Sequence, residues 1–236
     1  MSLPAVPRAV AWLTGLTAAL LISSIAAVGL LVLRTDRVGE PAFGFLVWNL
    51  FLAWIPFGLA ICAALVHRRR GPRPLLWAFG AGWLLFLPNA PYILTDFIHL
   101  GRMGGAPLWF DAALIGVFAG VGLVLGLASL LVVHQVVASR SGRLVGWVFA
   151  VTALLLSAVG VYLGRFLRFN SWDVLTDPNG LISVVWQRLA DPLGNPFLLR
   201  FGVLMSLLLL GSYGVAWIVG RGILGPTFGG TRVIRG

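Results

Sequence analysis

The sequence is poor in charged residues and in cysteine. Charged side chains make up 10% of its 236 residues, whereas soluble domains carry roughly 25%. A single cysteine excludes a disulfide-stapled scaffold, and the absence of a Gly-X-Y period excludes a collagenous chain. Apolar residues are abundant instead, at 59% of the chain with a mean hydropathy of +0.98. This abundance excludes a disordered chain and is typical of a protein that crosses a membrane several times.

Lysine is also absent, so all 17 basic residues are arginines. The chain has only 7 acidic residues, which gives a net charge of +10. Such a surplus raises the question of nucleic-acid binding. The arginines, however, lie at the ends of apolar runs and form no continuous basic face with interleaved aromatic residues. We therefore expect no nucleic-acid partner and assign the arginines to helix anchoring and orientation.

Six apolar runs are long enough to cross a bilayer, which takes about 20 helical residues. They predict an all-α, polytopic transmembrane helix bundle that forms one integral membrane domain over residues 1–236. The predicted spans are 9–33, 42–66, 75–94, 111–138, 144–163 and 197–220. Between the last two, Asp177 is a predicted helix N-cap before Pro178, and an amphipathic helix over 179–190 is expected to lie in the membrane interface. Residues 221–236 are predicted to form a flexible basic tail.

The distribution of arginines predicts the orientation, because cytoplasmic loops carry the excess of positive charge. With both termini inside, ten of the 17 arginines are cytoplasmic. The strongest indication is the short loop over 67–74, which has four arginines and no acidic residue. We expect a bacterial cytoplasmic (inner) membrane location with cytoplasmic N- and C-termini.

Glycines spaced four apart favour close helix packing in lipid. Three such pairs occur in the fourth and fifth predicted spans, at Gly116 and Gly120, Gly122 and Gly126, and Gly160 and Gly164. They place these two spans at the centre of the bundle, although chance spacing is an equally good explanation in a chain with 30 glycines.

Polar chemistry gathers at the predicted outer ends of spans two to five. Pro88 and Pro91 should break the third span, because proline lacks the N–H that a helix requires, and Asn89 is a predicted cap of the helix that follows. Irregular backbone at this depth suggests the wall of a cavity. Downstream, four polar residues share one helical face, at Tyr92, Thr95, Asp96 and His99.

Asp96 and His99 are the candidate catalytic residues, since a carboxylate three residues from an imidazole can orient it or hold its proton. The alternative is an interfacial helix whose polar side simply faces water. Arg165 and Arg168, on the predicted outer side, need either carboxylate partners or an anionic ligand. Asp96, Asp111 and Asp173 are the available partners in a purely structural charge lattice. The candidate ligand-binding residues are Asn49, Asn89, Tyr92, Asp111, Tyr162, Arg165, Arg168, Asn170 and Asp173.

Four stretches of the sequence resemble a known family. WNLFLAWIP (48–56), LPNAPYILTDFIHL (87–100), WFDA (109–112) and YLGRFLRFNSWD (162–173) are similar to the bacterial membrane family catalogued as domain of unknown function 1361. The resemblance covers roughly residues 40–220. It implies a multi-pass bacterial membrane protein, without an activity or catalytic residues to transfer.

Three functions remain open from the sequence. The first is an outward-facing enzyme or receptor that binds or processes an anionic lipid head group. The second is a small transporter or channel subunit, which the lack of an internal repeat disfavours. The third is a non-catalytic assembly partner. No zinc or hydrolase signature occurs, so no metal site is predicted, and no cofactor or protein partner is indicated beyond the lipid bilayer.

Overall fold

The computed structural model describes residues 5–39, 42–102, 104–176, 178–190 and 194–224. These residues form helices joined by short connections and contain no strand, which confirms the predicted all-α fold. The helices are α1 (Ala5–Val38), α2 (Phe45–Arg68), α3 (Arg73–Phe86), α4 (Asn89–Tyr92), a 3-10 helix (Ile93–His99), α5 (Leu108–Ser141), α6 (Arg143–Phe166), α7 (Asp173–Thr176), α8 (Pro178–Ala190) and α9 (Pro196–Leu224).

Five of these helices are long and apolar enough to cross a bilayer, and the chain is a multi-pass membrane protein. They are α1, α2, α5, α6 and α9. The predicted third span over 75–94 differs from the structure. Its regular helix, α3, has 14 residues and ends at Phe86, short of the roughly 20 that a bilayer core requires.

The break in this segment has the predicted cause. Leu87 and Pro88 separate α3 from α4, and no side chain caps α4, so the predicted cap role of Asn89 is wrong. Asn89 is instead the first residue of α4, and its amide donates to the Phe86 carbonyl oxygen at 3.0 Å. The side chain thus satisfies an acceptor left at the end of the preceding helix.

α5, the fourth predicted span, is the centre of the bundle, whereas α6, the fifth predicted span and the other one expected there, is less buried than α2. α5 contacts α1, α2, α4, the 3-10 helix, α6 and α9, and 61% of its most apolar window is buried, against 17% for α1. Polar contacts tie neighbouring helices to it. Trp83 of α3 donates to Ser129 at 3.1 Å, and Tyr213 of α9 hydrogen-bonds His134 at 2.6 Å.

Most of the glycines in the predicted pairs pack against residues 87–99, here called the broken segment, rather than against each other. An ideal Cβ atom at Gly122 would lie 2.7 Å from the Ala90 carbonyl oxygen, and one at Gly126 would lie 2.8 Å from the Ala90 Cβ. A Cβ at Gly160 would lie 2.5 Å from Pro88 Cγ, whereas one at Gly120 would meet nothing within 4 Å. Five of the six predicted positions therefore contact residues 88–97, and Gly120 does not.

The connection between α6 and α9 contains the predicted amphipathic helix. α8 runs from Pro178 to Ala190, and Ile182 and Trp186 on it are exposed. Asp177, the predicted N-cap, lies outside the described residues. The predicted tail starts at residue 221, but α9 continues to Leu224, and the remainder of that tail also lies outside the described residues.

The two ends of the bundle differ in chemistry. At the arginine-rich end, the α2–α3 turn meets the C-terminal end of α5, where Ser139 and Arg140 hydrogen-bond His67. At the opposite end, here called the polar end, the start of α2, the 3-10 helix and the end of α6 meet. The candidate site lies at the polar end.

Candidate functional site

Arg165, in the last turn of α6, joins the four polar residues that the sequence placed on one helical face. Its Nε donates to Thr95 Oγ1 at 2.6 Å, and its Nη2 forms an ion pair with Asp96. Its Nη1 lies 3.3 Å from His99 Nε2, and its Cζ lies 4.4 Å from the centre of the Tyr92 ring. The ends of the third and fifth of the four predicted spans thus meet around one guanidinium.

Asp96 is fully buried, and both of its carboxylate oxygens have partners. Oδ1 pairs with Arg165, and Oδ2 accepts a hydrogen bond of 2.9 Å from the amide of Asn49 on α2. Asp96 therefore connects α2, the 3-10 helix and α6. A buried ion pair satisfied in this way fixes geometry, because removing either partner leaves an uncompensated charge.

His99 acts as an acceptor toward Arg165. A guanidinium only donates hydrogen bonds, so His99 Nε2 is unprotonated in this contact and the proton lies on Nδ1. The Phe45 ring packs against the imidazole, with 4.9 Å between ring centres. Hydrogen bonds to Asp96 come from Arg165 and Asn49, so within the described residues the carboxylate does not orient the imidazole directly.

The pKa values of both groups depart from their usual range. Burial raises the pKa of the Asp96 carboxyl, and the charge and hydrogen bonds of Arg165 and Asn49 partly oppose this effect. Burial also lowers the pKa of His99, and the nearby positive charge of Arg165 lowers it further. Neutral His99 beside the ion pair agrees with its role as an acceptor.

Beside this network lies an open groove of about 620 Å³ between α2, α3, α4, the end of α6 and residues 169–172. Its apolar lining residues include Leu52, Leu84, Leu85 and Leu163. Its polar lining residues are Asn49, Asn89, Tyr92, Asn170 and Ser171, and two tryptophans, Trp48 and Trp172, also line it. The sequence had predicted four of these five polar residues and had missed Ser171.

Only some of the polar groups in the groove form hydrogen bonds with other described residues. Asn89 donates to Ser171 Oγ at 2.9 Å, which links α4 to the chain after α6. The Asn170 backbone N–H donates to Asp173 at 2.6 Å. Within the described residues, the hydroxyl of Tyr92 and the side-chain amide of Asn170 have no hydrogen-bond partner. Gly164 gives the Tyr92 ring its room, since a Cβ there would lie 3.3 Å from the ring.

The remaining candidate residues lie apart from the groove lining. Asp111 pairs with Arg34 of α1 at 2.6 Å and 3.2 Å, not with Arg165 or Arg168 as the lattice hypothesis allowed. Tyr162 is buried among Phe166, Phe197 and Phe201. Arg168 is exposed with a φ of 61° and has no carboxylate partner in the described chain.

Arg34 is a second polar residue, after Ser171, that sequence reasoning did not single out. It is buried, its Nη2 also lies 3.3 Å from the Gly104 carbonyl oxygen, and its Cζ lies 4.7 Å from the Phe43 ring centre. The signal in the sequence is an arginine near the end of an apolar helix, a position that helix anchoring also explains. No group of three or more His, Cys, Asp or Glu residues in the described chain is arranged to hold a metal ion.

A family model agrees with these motifs. The model described as "Protein of unknown function (DUF1361)" matches residues 48–211, which include α2, the broken segment, Arg165 and the groove. The chain belongs to the DUF1361 family. No curated protein and no solved structure shows significant similarity to this DUF1361 member. The family match therefore identifies the fold region and its motifs but carries no activity.

Proposed function

We propose that this protein binds the head group of an anionic lipid in the groove at the polar end, on the extracytoplasmic side of a bacterial cytoplasmic membrane. The observation that carries the proposal is the composition of the groove. The same groove is lined by apolar side chains suited to an acyl chain and by several amides and hydroxyls. Ligand sites have this pattern of mostly apolar lining with a few polar groups that fix orientation.

The unused polar groups suit an anion. Phosphate oxygens accept hydrogen bonds and need N–H or O–H donors. The Tyr92 hydroxyl and the Asn170 side-chain amide supply such donors, and neither is taken by another described residue. Arg168, two residues before Asn170 in the chain, is exposed and supplies a positive charge near the groove.

In this proposal Asp96, His99 and Arg165 position the site and do not transfer protons. Arg165 lies against the Tyr92 ring, an arrangement that stabilises both groups by about 0.5–2 kcal/mol. Asp96 is fully buried and each of its oxygens already accepts a hydrogen bond from the protein, so a substrate does not reach it. The geometry therefore favours binding over catalysis.

Replacing Tyr92 by Phe tests the proposal with little change to the network. The variant keeps the ring under Arg165 and removes only the hydroxyl. A hydrogen bond to a charged group contributes about 1.5 kcal/mol, so we expect phosphatidylglycerol binding to weaken about tenfold. Native mass spectrometry of the detergent-solubilised protein, titrated with phosphatidylglycerol and separately with phosphatidylcholine, measures this loss.

Tyr162→Phe is the matched control, because it removes a hydroxyl from the aromatic cluster outside the groove. It should bind phosphatidylglycerol as the unmodified protein does. Equal affinities of the Tyr92→Phe variant and the unmodified protein would contradict the proposal. So would equal losses for phosphatidylglycerol and phosphatidylcholine, since these would show no role for the anionic head group.

A further inference from the structure

A second concave surface lies at the arginine-rich end, remote from the groove. It encloses about 500 Å³ between the α2–α3 turn and the C-terminal end of α5. Its lining, here called the arginine pocket, consists of His67, Arg68, Arg70, Gly71, Arg73 and Arg140. No acidic residue is among them.

His67 holds Arg140 in position at this pocket. Arg140 Nε donates to His67 Nδ1 at 3.0 Å, so Nδ1 is an acceptor and a neutral ring carries its proton on Nε2. That Nε2 lies 3.0 Å from Ser139 Oγ, and Ser139 donates its own proton to the Val136 carbonyl oxygen at 2.8 Å. Each partner thus has a defined donor or acceptor role. In this chain of hydrogen bonds, the terminal Nη groups of Arg140 have no hydrogen-bond partner within the described residues.

The turn that carries Arg70 is also defined. Arg70 has a φ of 52°, in the left-handed region that L side chains rarely adopt. Its N–H donates to the His67 carbonyl oxygen at 3.2 Å, and the next N–H, that of Gly71, donates to the Val66 carbonyl oxygen at 2.9 Å. These backbone contacts fix the course of the turn between α2 and α3.

The positive charge of the pocket has no protein counter-charge. Arg68, Arg70, Arg73 and Arg140 form no ion pair with any described residue. Like charges held in one concavity repel each other and raise the local positive potential, which an anion relieves. Guanidinium groups match phosphate oxygens through paired donors.

We propose that the arginine pocket binds a phosphate group, carried either by an anionic lipid head group or by a free phosphate ion. Its position beside the ends of α2 and α5 suits a head group, because basic pockets between membrane helices recognise such groups. The arginine pocket shares no lining residue with the groove at the polar end.

Neutralising single arginines tests the pocket. Arg140→Gln and Arg70→Gln should each lower phosphatidylglycerol affinity about fivefold in native mass spectrometry, following the usual contribution of one arginine near a lipid surface. Arg69→Gln is the matched control, because it removes the same charge from the same turn but Arg69 does not line the pocket. Equal losses for Arg69→Gln and Arg140→Gln would overturn the proposal, since only the total charge would then matter.

A variant that keeps the net charge distinguishes binding by correctly oriented arginines from attraction by the total positive charge. His67→Ala removes the acceptor that orients Arg140 and should lower affinity at least threefold at constant net charge. His67→Asn restores an oxygen acceptor near the Nδ1 position and should recover part of the loss. Unchanged affinity in His67→Ala, with the protein eluting normally from size exclusion, would overturn the proposal.

Calorimetric titration with inorganic phosphate distinguishes the two sources of the ligand. Phosphate binding that Arg140→Gln weakens supports a soluble ion, whereas lipid binding alone supports a head group. Absence of both in the unmodified protein overturns the proposal. Arg140→Gln should lower phosphatidylglycerol affinity by the same factor in the Tyr92→Phe variant as in the unmodified protein. The experiment therefore tests the arginine pocket separately from the groove.

Discussion

At the scale of single residues, Arg165 organises the polar end because it meets four side chains at once. The sequence identified those four from their spacing, since residues that recur at helical intervals share a face whatever lies opposite. It could not identify which arginine pairs with which carboxylate. Asp111 pairs with Arg34, 77 residues away, and no local pattern encodes such a distance.

The pKa of His99 depends on the positive charge of Arg165. Burial and Arg165 lower the pKa of His99 below 6.5, so we expect its ring signals to titrate below that value in the intact protein. Replacing Arg165 by Gln removes a positive neighbour and leaves Asp96 nearby, so the pKa should rise. Two-dimensional NMR of ¹⁵N-histidine-labelled protein across the pH range measures the change.

Arg168→Gln serves as the control for this titration, because Arg168 has no contact with His99 in the described chain. It should leave the His99 titration in place. An unchanged His99 pKa in Arg165→Gln would mean that the contact between the guanidinium and the imidazole is absent in solution.

At the scale of elements, the sequence predicted the break after α3 correctly but did not predict the 3-10 helix that follows it. Two prolines predict the end of a helix on steric grounds alone, and α3 indeed ends at Phe86. The continuation is a 3-10 helix, with three residues per turn, so Tyr92 aligns with Thr95 and Asp96 with His99. Sequence spacing could not reveal this tighter winding, because the choice depends on packing against α5 and α6.

Gly160 should be the least replaceable glycine of α6. Alanine there would place its Cβ 2.5 Å from Pro88 Cγ, and overpacking of this kind costs about 1–3 kcal/mol. We expect Gly160→Ala to lower the thermal unfolding midpoint of the detergent-solubilised protein, as followed by intrinsic fluorescence.

Gly120→Ala is the matched substitution in α5, where a Cβ meets nothing within 4 Å. Alanine favours helix over glycine by about 0.8–1 kcal/mol, so this variant should unfold at the same temperature or higher. Equal destabilisation by both substitutions would refute the packing role of the broken segment.

At the scale of the whole molecule, the two ends of the bundle carry different chemistry. One end presents arginines without acidic partners, and the other presents an ion pair, amides and tryptophans. The six-span prediction placed these ends on opposite sides of the membrane. Among the described residues, five helices meet the length requirement. The six-span prediction therefore requires α3, α4 and the 3-10 helix to complete a sixth crossing together.

Single cysteines test this topology. After Cys62→Ala removes the native thiol, Arg69→Cys and Arg102→Cys place matched probes on exposed arginine positions at either side of α3 and the 3-10 helix. In intact cells a membrane-impermeant maleimide should label position 102 and not position 69, because the positive-inside rule places the arginine-rich turn in the cytoplasm. Permeabilised cells provide the control in which both react. Labelling of both positions in intact cells would show that the broken segment does not cross.

The ion pair between Asp96 and Arg165 also bears on how the chain is made. The two residues are 69 positions apart, and a ribosome adds about 5–20 residues per second. Asp96 therefore emerges roughly 3–14 seconds before its counter-charge, together with two prolines that leave backbone carbonyls open. α5 (Leu108–Ser141) is synthesised within that interval, but the end of α6 that carries Arg165 comes last. The buried ion pair can therefore form only after α6 has been synthesised.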